Sequence, residues 1–232
     1  MLYDLLCETE EDNDDKILQY LHNKKYPILF EEEEEESALQ VALSNGRSRE
    51  VVFKLIELGG RDLVMIEDYL GNNALHIACR DKASIDVVSK LIEVGGRELV
   101  MATCYNEHTP LHHAFYGAAS IDVVSKLIEV GGRELVMMKC NDGRTSLHIA
   151  CEHSRGIGLT LLVSKLLESA GTEILLQKDD IRQYALHEFF FKYGDDIFGD
   201  MFTFVVKECI SAQIGGEFAI GGLFNTAIKS NL

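Results

Sequence analysis

Apolar residues in the middle of the chain fall at helical spacing, in pairs of short runs. Leu75, Ala78 and Cys79 stand at i, i+3 and i+4, one face of a short helix, with Asn73 placed to cap its N-terminus. After a polar gap, Val87, Val88, Leu91 and Ile92 form a second stripe, with Ser89, Lys90 and Glu93 facing water. Asp86 caps or starts this second helix, and Gly95-Gly96 reads as its end, because a left-handed glycine closes many helices. The pattern predicts helix, turn, helix and then an extended loop.

This unit recurs. Residues from Ala83 to Met101 and from Ala119 to Met137 are identical, 36 positions apart. Asn73-Ala74-Leu75-His76 returns as Thr109-Pro110-Leu111-His112 and Thr145-Ser146-Leu147-His148 at the same step, then as Tyr184-Ala185-Leu186-His187 after 39. Ser37-Ala38-Leu39-Gln40 is a degenerate earlier copy. A fixed period of this length means an array of stacked supersecondary units.

Thr109-Pro110-Leu111-His112-His113-Ala114 followed by Val123-Val124-Ser125-Lys126-Leu127-Ile128 resembles the ankyrin repeat, with its TPLH-x-A helix and second helix of VVKLL type. Asn141-Asp142-Gly143-Arg144-Thr145 is similar to the family's finger leading into the next TPLH. The resemblance runs from about Ser37 to Ser211. It implies an all-α ankyrin-repeat solenoid of stacked helix-turn-helix units with extended finger loops. Ankyrin units usually run about 33 residues. Here Leu75 to Val87 is one residue longer and Gly95 to Leu111 two longer, so a longer interhelical turn and an enlarged finger base at Gly-Gly-Arg-Glu-Leu-Val-Met are expected.

The chain divides accordingly. Residues 1–36 read as a worn capping repeat with helices around Tyr3, Leu5 and Leu6 and around Ile17, Leu18 and Leu21, Pro27-Ile28-Leu29-Phe30 standing for the finger base and an acidic run to Glu36 for its tip. Residues 37–216 form the array, about five repeats starting near 37, 73, 109, 145 and 184, and 217–232 read as a partial repeat or C-terminal end. The fourth of these repeats carries three extra residues around Arg155-Gly156-Ile157-Gly158-Leu159, read as a longer interhelical loop. With no preceding strand and no third glycine, this is no phosphate cradle. The fifth is rich in aromatics, from Phe189 to Phe204.

Charge and cysteines narrow the classes. The formal net charge of −16 opposes nucleic acid and anionic lipid, which need a basic patch, and favours partners of basic or mixed charge. The acidic runs read as solvated loops. No apolar run reaches the length of a membrane span, and no signal peptide is evident, so a cytoplasmic, soluble protein is expected. Cys79 and Cys151 occupy one repeat position as small apolar fillers, and Cys104 and Cys140 another. Stacking at about 8–10 Å between repeats exceeds disulfide reach, so reduced thiols follow.

Little catalytic chemistry stands out. The resemblance implies that His76, His112, His148 and His187 are structural brackets bonding backbone at repeat junctions. Cys104, His108 and His112 have spacing that suits zinc on one helix, but Thr109 and Pro110 begin a helix between them, so no metal, cofactor or catalytic residue is expected. No Ser-His-Asp set or P-loop is present. The resemblance implies instead a partner protein held along a concave face: finger residues Tyr69, Leu70, Asn72, Tyr105, Asn106, His108, Asn141, Asp142, Arg144, Ile181 and Gln183, and first-helix ends Arg80, Asp81, Tyr116, Glu152 and His153. The tyrosines are the expected anchors, clustered across neighbouring repeats. The alternative is a structural spacer or scaffold segment of a longer repeat protein.

Overall fold

The computed structural model describes residues 2–8, 13–23, 36–153 and 156–185. Pro27 to Phe30, the Glu31–Glu35 part of the acidic run, His187, the aromatic fifth repeat and the segment after it lie outside the described residues. The chain falls into two compact units, Met1–Gly131 and Gly132–Leu232.

In the first unit short and long helices alternate: α1 Leu2–Cys7, α2 Asn13–Asn23, α3 Ala38–Ser44, α4 Arg49–Met65, α5 Ala74–Arg80, α6 Ile85–Met101 and α7 Pro110–Tyr116, followed by α8 Ile121–Met137, which runs into the second unit. The short helices pack in succession, α1 on α3, α3 on α5 and α5 on α7, and the long ones likewise, α2 on α4 and α4 on α6. The predicted stripes are the buried ones. Leu75, Ala78 and Cys79 are buried on α5, and Val87, Val88, Leu91 and Ile92 on α6. Each such large side chain contributes about 1.5–3 kcal/mol on leaving water. In the capping repeat Arg47 donates to the Leu6 carbonyl from Nε at 3.1 Å and Nη2 at 2.9 Å, and the Ser48 N–H donates to Asp14 at 2.9 Å. The N-terminal pair is thus fastened to its neighbour by polar bonds as well as by Leu2, Tyr3, Leu6, Ile17 and Leu21.

Ser37, Asn73 and Thr109 cap α3, α5 and α7, each accepting from the N3 N–H. On α6 the cap is Ser84, not Asp86, which lies in the first turn, where its charge complements the helix dipole.

The glycine pair does not end the second helix. α4, α6 and α8 break at Gly60, Gly96 and Gly132, all with positive φ, and then resume a helical turn. Gly96, at φ 70° and ψ −165°, sits where only glycine is comfortable. The Gly-Gly-Arg-Glu-Leu-Val-Met segment is therefore helical on both sides of a kink rather than an extended finger base. The reason is packing: Leu99 and Val100 are wholly buried, and a Cβ at Gly95 would sit 2.5 Å from Leu99 Cδ2. The arginine after the pair closes the next repeat. Arg97 Nη1 donates to the Val130 and Gly131 carbonyls at 2.8 and 2.9 Å, as Arg61 Nη1 does to Gly95 at 2.5 Å.

The second unit holds α9 Ser146–His153, α10 Gly156–Ala170 and a 3-10 helix Thr172–Leu176. Gly171, at φ 70°, repeats the kink, and Arg133 bonds the Ala170 carbonyl as Arg97 bonds its own targets. Gly156 to Leu159, expected as a loop, is the first turn of α10. Thr160 is the counterpart of Ile121, where α8 begins, so the extra residues lengthen the helix instead of the turn. Buried Leu159 holds that turn against the core.

Candidate functional site

Among the described residues each finger is a tight turn built on one template. The Asp68 N–H donates to the Asn72 carbonyl at 2.9 Å and the Gly71 N–H to the Asp68 carbonyl at 2.9 Å. The same pair of bonds joins Cys104 with His108 and Glu107, Cys140 with Arg144 and Gly143, and Asp179 with Gln183 and Arg182. The fourth residue takes positive φ in every copy: Gly71, Glu107, Gly143 and Arg182. Neighbouring fingers are tied by backbone, Tyr105 N–H to the Leu70 carbonyl at 3.0 Å and, in the second unit, Asp180 N–H to the Asp142 carbonyl at 3.0 Å. A Cβ at Gly71 would lie 2.8 Å from Tyr105 Cδ1, so that ring rests against bare backbone.

The bases of the Cys104–His108 and Asp179–Gln183 fingers are held by the periodic histidine. His76 Nδ1 accepts from the Asn73 N–H at 3.2 Å, which leaves the proton on Nε2 to donate to the His108 carbonyl at 3.0 Å. His148 does the same with the Thr145 N–H at 3.1 Å and the Gln183 carbonyl at 3.3 Å. Burial lowers both rings to a pKa of about 4, so they are neutral in this role.

The sixteen surface candidates divide by exposure. Ile181, Tyr105, Tyr69, Leu70 and Tyr116 are exposed apolar side chains at 72, 70, 58, 45 and 37%. Asn106, Asn141, Asp142, Asp81 and His153 are exposed polar positions. Arg80 is half-buried and doubly bonded to Asp81, at 3.1 and 2.8 Å. Arg144 pairs with Glu152 at 2.5 Å, beside His153. Gln183 is half-buried and its backbone serves the turn. Asn72 is a correction. It is 3% exposed, its amide donates to Asp68 at 3.0 Å, and it belongs to the core of the turn rather than to a surface. The Asp68 carboxylate needs that donor along with the Leu70 and Asn72 N–H groups, each at 2.8 Å.

His108 is half-buried and its ring lies among others, centroids 5.8 Å from His112, 5.9 Å from His113 and 5.4 Å from Tyr116. His113 also stands edge-on to His76 at 5.2 Å. One ligand atom each from Cys104, His108 and His113 lie within 4.8 Å of one another. The linear spacing pointed to His112, but its Nδ1 accepts from the Thr109 N–H at 3.1 Å, and the next residue on α7 is the one turned toward the thiol. Burial, and then the neighbouring His76 and His108, push His113 down to about 3.

Stacked short-and-long helix pairs joined by finger turns, with a His-bracketed TPLH helix, define a helical repeat protein of ankyrin type. The family profile "Ankyrin repeats (3 copies)" matches residues 6–100 and 83–178, and the chain belongs to the ankyrin-repeat family. Among solved structures it is similar to the ankyrin repeat protein EF0377, at 18% identity and a TM-score of 0.67, over 90% of this chain and 98% of that one. It is also similar to a chain of the Bd0816 predatory endopeptidase from Bdellovibrio bacteriovorus in complex with immunity protein Bd3460, at 17% identity and a TM-score of 0.66, over 87% of this chain and 96% of that one. At such identities the likeness is one of fold. No curated protein sequence matches the chain. Among the described residues no helix is long and apolar enough to cross a membrane.

Proposed function

We propose that this chain is a non-catalytic interaction module that binds a partner protein through its finger tips and the adjoining ends of its short helices. The observation that carries the reading is the set of uncovered apolar side chains on hydrogen-bonded turns of the first unit, Tyr69, Leu70 and Tyr105 on consecutive fingers. Side chains fixed on hydrogen-bonded turns lose little freedom on binding, and tyrosine is among the commonest anchors of interfaces. The formal charge of −16 favours a partner of basic or mixed charge. Cys79, Cys104 and Cys140 are buried thiols outside any disulfide, which supports a reducing, cytoplasmic setting.

The test is affinity capture from the source cell's lysate, with the captured protein then purified and titrated against wild type and a Tyr69, Tyr105, Tyr116 triple alanine variant. Loss of binding by more than about tenfold, with circular dichroism unchanged, is the expected result. Equal retention by both proteins would remove the finger tips from the interface.

A further inference from the structure

We propose that Cys104, His108 and His113 form a binding site for a divalent transition metal of the zinc class, clamping the Cys104–His108 finger to helix α7. A thiolate and two imidazoles are the donor set of such ions, which favour tetrahedral geometry. Zn–S and Zn–N bonds of about 2.3 and 2.0 Å place tetrahedral ligand atoms roughly 3.5 Å apart. Donor atoms within 4.8 Å reach that by small side-chain rotations. Water completes the fourth position, and the Cys104 thiol proton passes to solvent on binding.

The repeat supplies an internal comparison. The counterparts of Cys104, His108 and His113 are Asp68, Asn72 and Ile77 one unit earlier, and Cys140, Arg144 and Ile149 one unit later. Ile77 and Ile149 are wholly buried, so the position of His113 is an apolar core slot in both flanking copies. Here it holds an imidazole whose Nδ1 is buried and has no hydrogen-bond partner among the described residues. Leaving such a group unpaired is unfavourable, and a ligand for the ring removes the conflict. His76 and His148 show what a bracketing histidine looks like in this fold, and His113 makes neither of their bonds. A bound ion would also fix the finger that presents Tyr105 and Asn106.

The test is Zn2+ titration of the chelator-stripped full chain by calorimetry, with Co2+ as a spectroscopic substitute. Expected is one ion per chain at this site, a sulfur-to-cobalt charge-transfer band, and weakening by more than about 100-fold in Cys104→Ser and His113→Ile, since loss of a ligand should exceed the effect of losing a supporting residue. His113→Ile restores the residue of the flanking repeats, so it keeps the fold and melts higher without metal, while Zn2+ raises the melting temperature of wild type only. Cys140→Ser, at the matching place one unit on, leaves uptake unchanged. A wild type that takes up no Zn2+, shows no thiolate band, or binds equally in His113→Ile overturns the proposal.

Discussion

The Gln40 carboxamide and the His76 imidazole occupy one position of successive repeats and make the same two bonds. Gln40 Oε1 accepts from the Ser37 N–H at 2.7 Å and its Nε2 donates to the Asn72 carbonyl at 2.8 Å, matching His76 with Asn73 and His108. The position therefore requires an acceptor and a donor set apart by one flat group, and not a titratable ring. Gln40→His should fold with stability within about 1 kcal/mol of wild type, whereas Gln40→Leu strands the buried Ser37 N–H at about 1–3 kcal/mol, while the Asn72 carbonyl keeps its bond from the Asp68 N–H. Urea melts of the two variants decide this, and a Leu variant as stable as wild type would strip the bracket of energetic weight.

Acid should weaken the fold through His148. Its native pKa of about 4 lies below the ordinary value of 6.5, so between these values the unfolded chain binds the proton that the folded chain refuses. Stability is lost as pH falls from about 6.5 toward 4 and changes little through this group below that. At pH 4.5 the loss from this one ring is about 2 kcal/mol. His148→Gln keeps an acceptor and a donor without titrating. Comparing the drop in urea stability between pH 7 and pH 4.5, the variant should lose less than wild type by about that amount; parallel drops would contradict the assignment.

At Gly96 the backbone sets a sharper requirement than a left-handed turn. Asparagine tolerates the common left-handed region, but a ψ of −165° lies outside it. Gly96→Ala and Gly96→Asn should both cost about 1–3 kcal/mol. Thermal melts showing recovery with Asn would mean that the kink is an ordinary left-handed one.

Burial separates two leucines that the sequence alone also places differently. Leu111 is wholly buried on α7 and Leu70 is 45% exposed on a finger. Leu111→Ala should cost about 2–5 kcal/mol and Leu70→Ala under about 1. Equal shifts in denaturant midpoint would contradict the register.

The period, the two stripes and the histidine bracket were legible because each is a local spacing repeated at 36 residues, and the burial of Leu75, Val88 and Leu91 follows it. What escaped depended on how side chains meet in three dimensions. A Gly-Gly pair reads as a terminator, and only the burial of Leu99 and Val100 shows why the chain winds again after it. Gly156 and Gly158 read as loop, yet the helix around Leu159 absorbs them. Asn72 looked like a finger-tip residue until its bond to Asp68 placed it inside the turn. The Cys104 cluster was half visible: the spacing chose His112, whereas the turn of α7 brings His113 to the thiol.

The arginine of the Gly-Gly-Arg triplet was not singled out by spacing, because its partners lie in the next repeat. Gly132 leaves the helical region, and Arg97 donates to the Val130 and Gly131 carbonyls at the end of the long arm of α8. Its charge also lies at the negative end of that arm's dipole. Arg97→Met keeps most of the aliphatic stem and removes both contributions, at about 1–2 kcal/mol after allowance for the exposure of the guanidinium. Arg97→Lys keeps the charge but not the two-carbonyl geometry, and should fall between. Salt separates the two parts, since at about 0.5 M the dipole contribution is largely screened while the hydrogen bonds persist. Urea melts should therefore show the Met variant below wild type at both ionic strengths, with the Lys variant's advantage over Met shrinking at high salt. A Met variant equal to wild type under both conditions would mean that solvent satisfies those carbonyls as well as the arginine does.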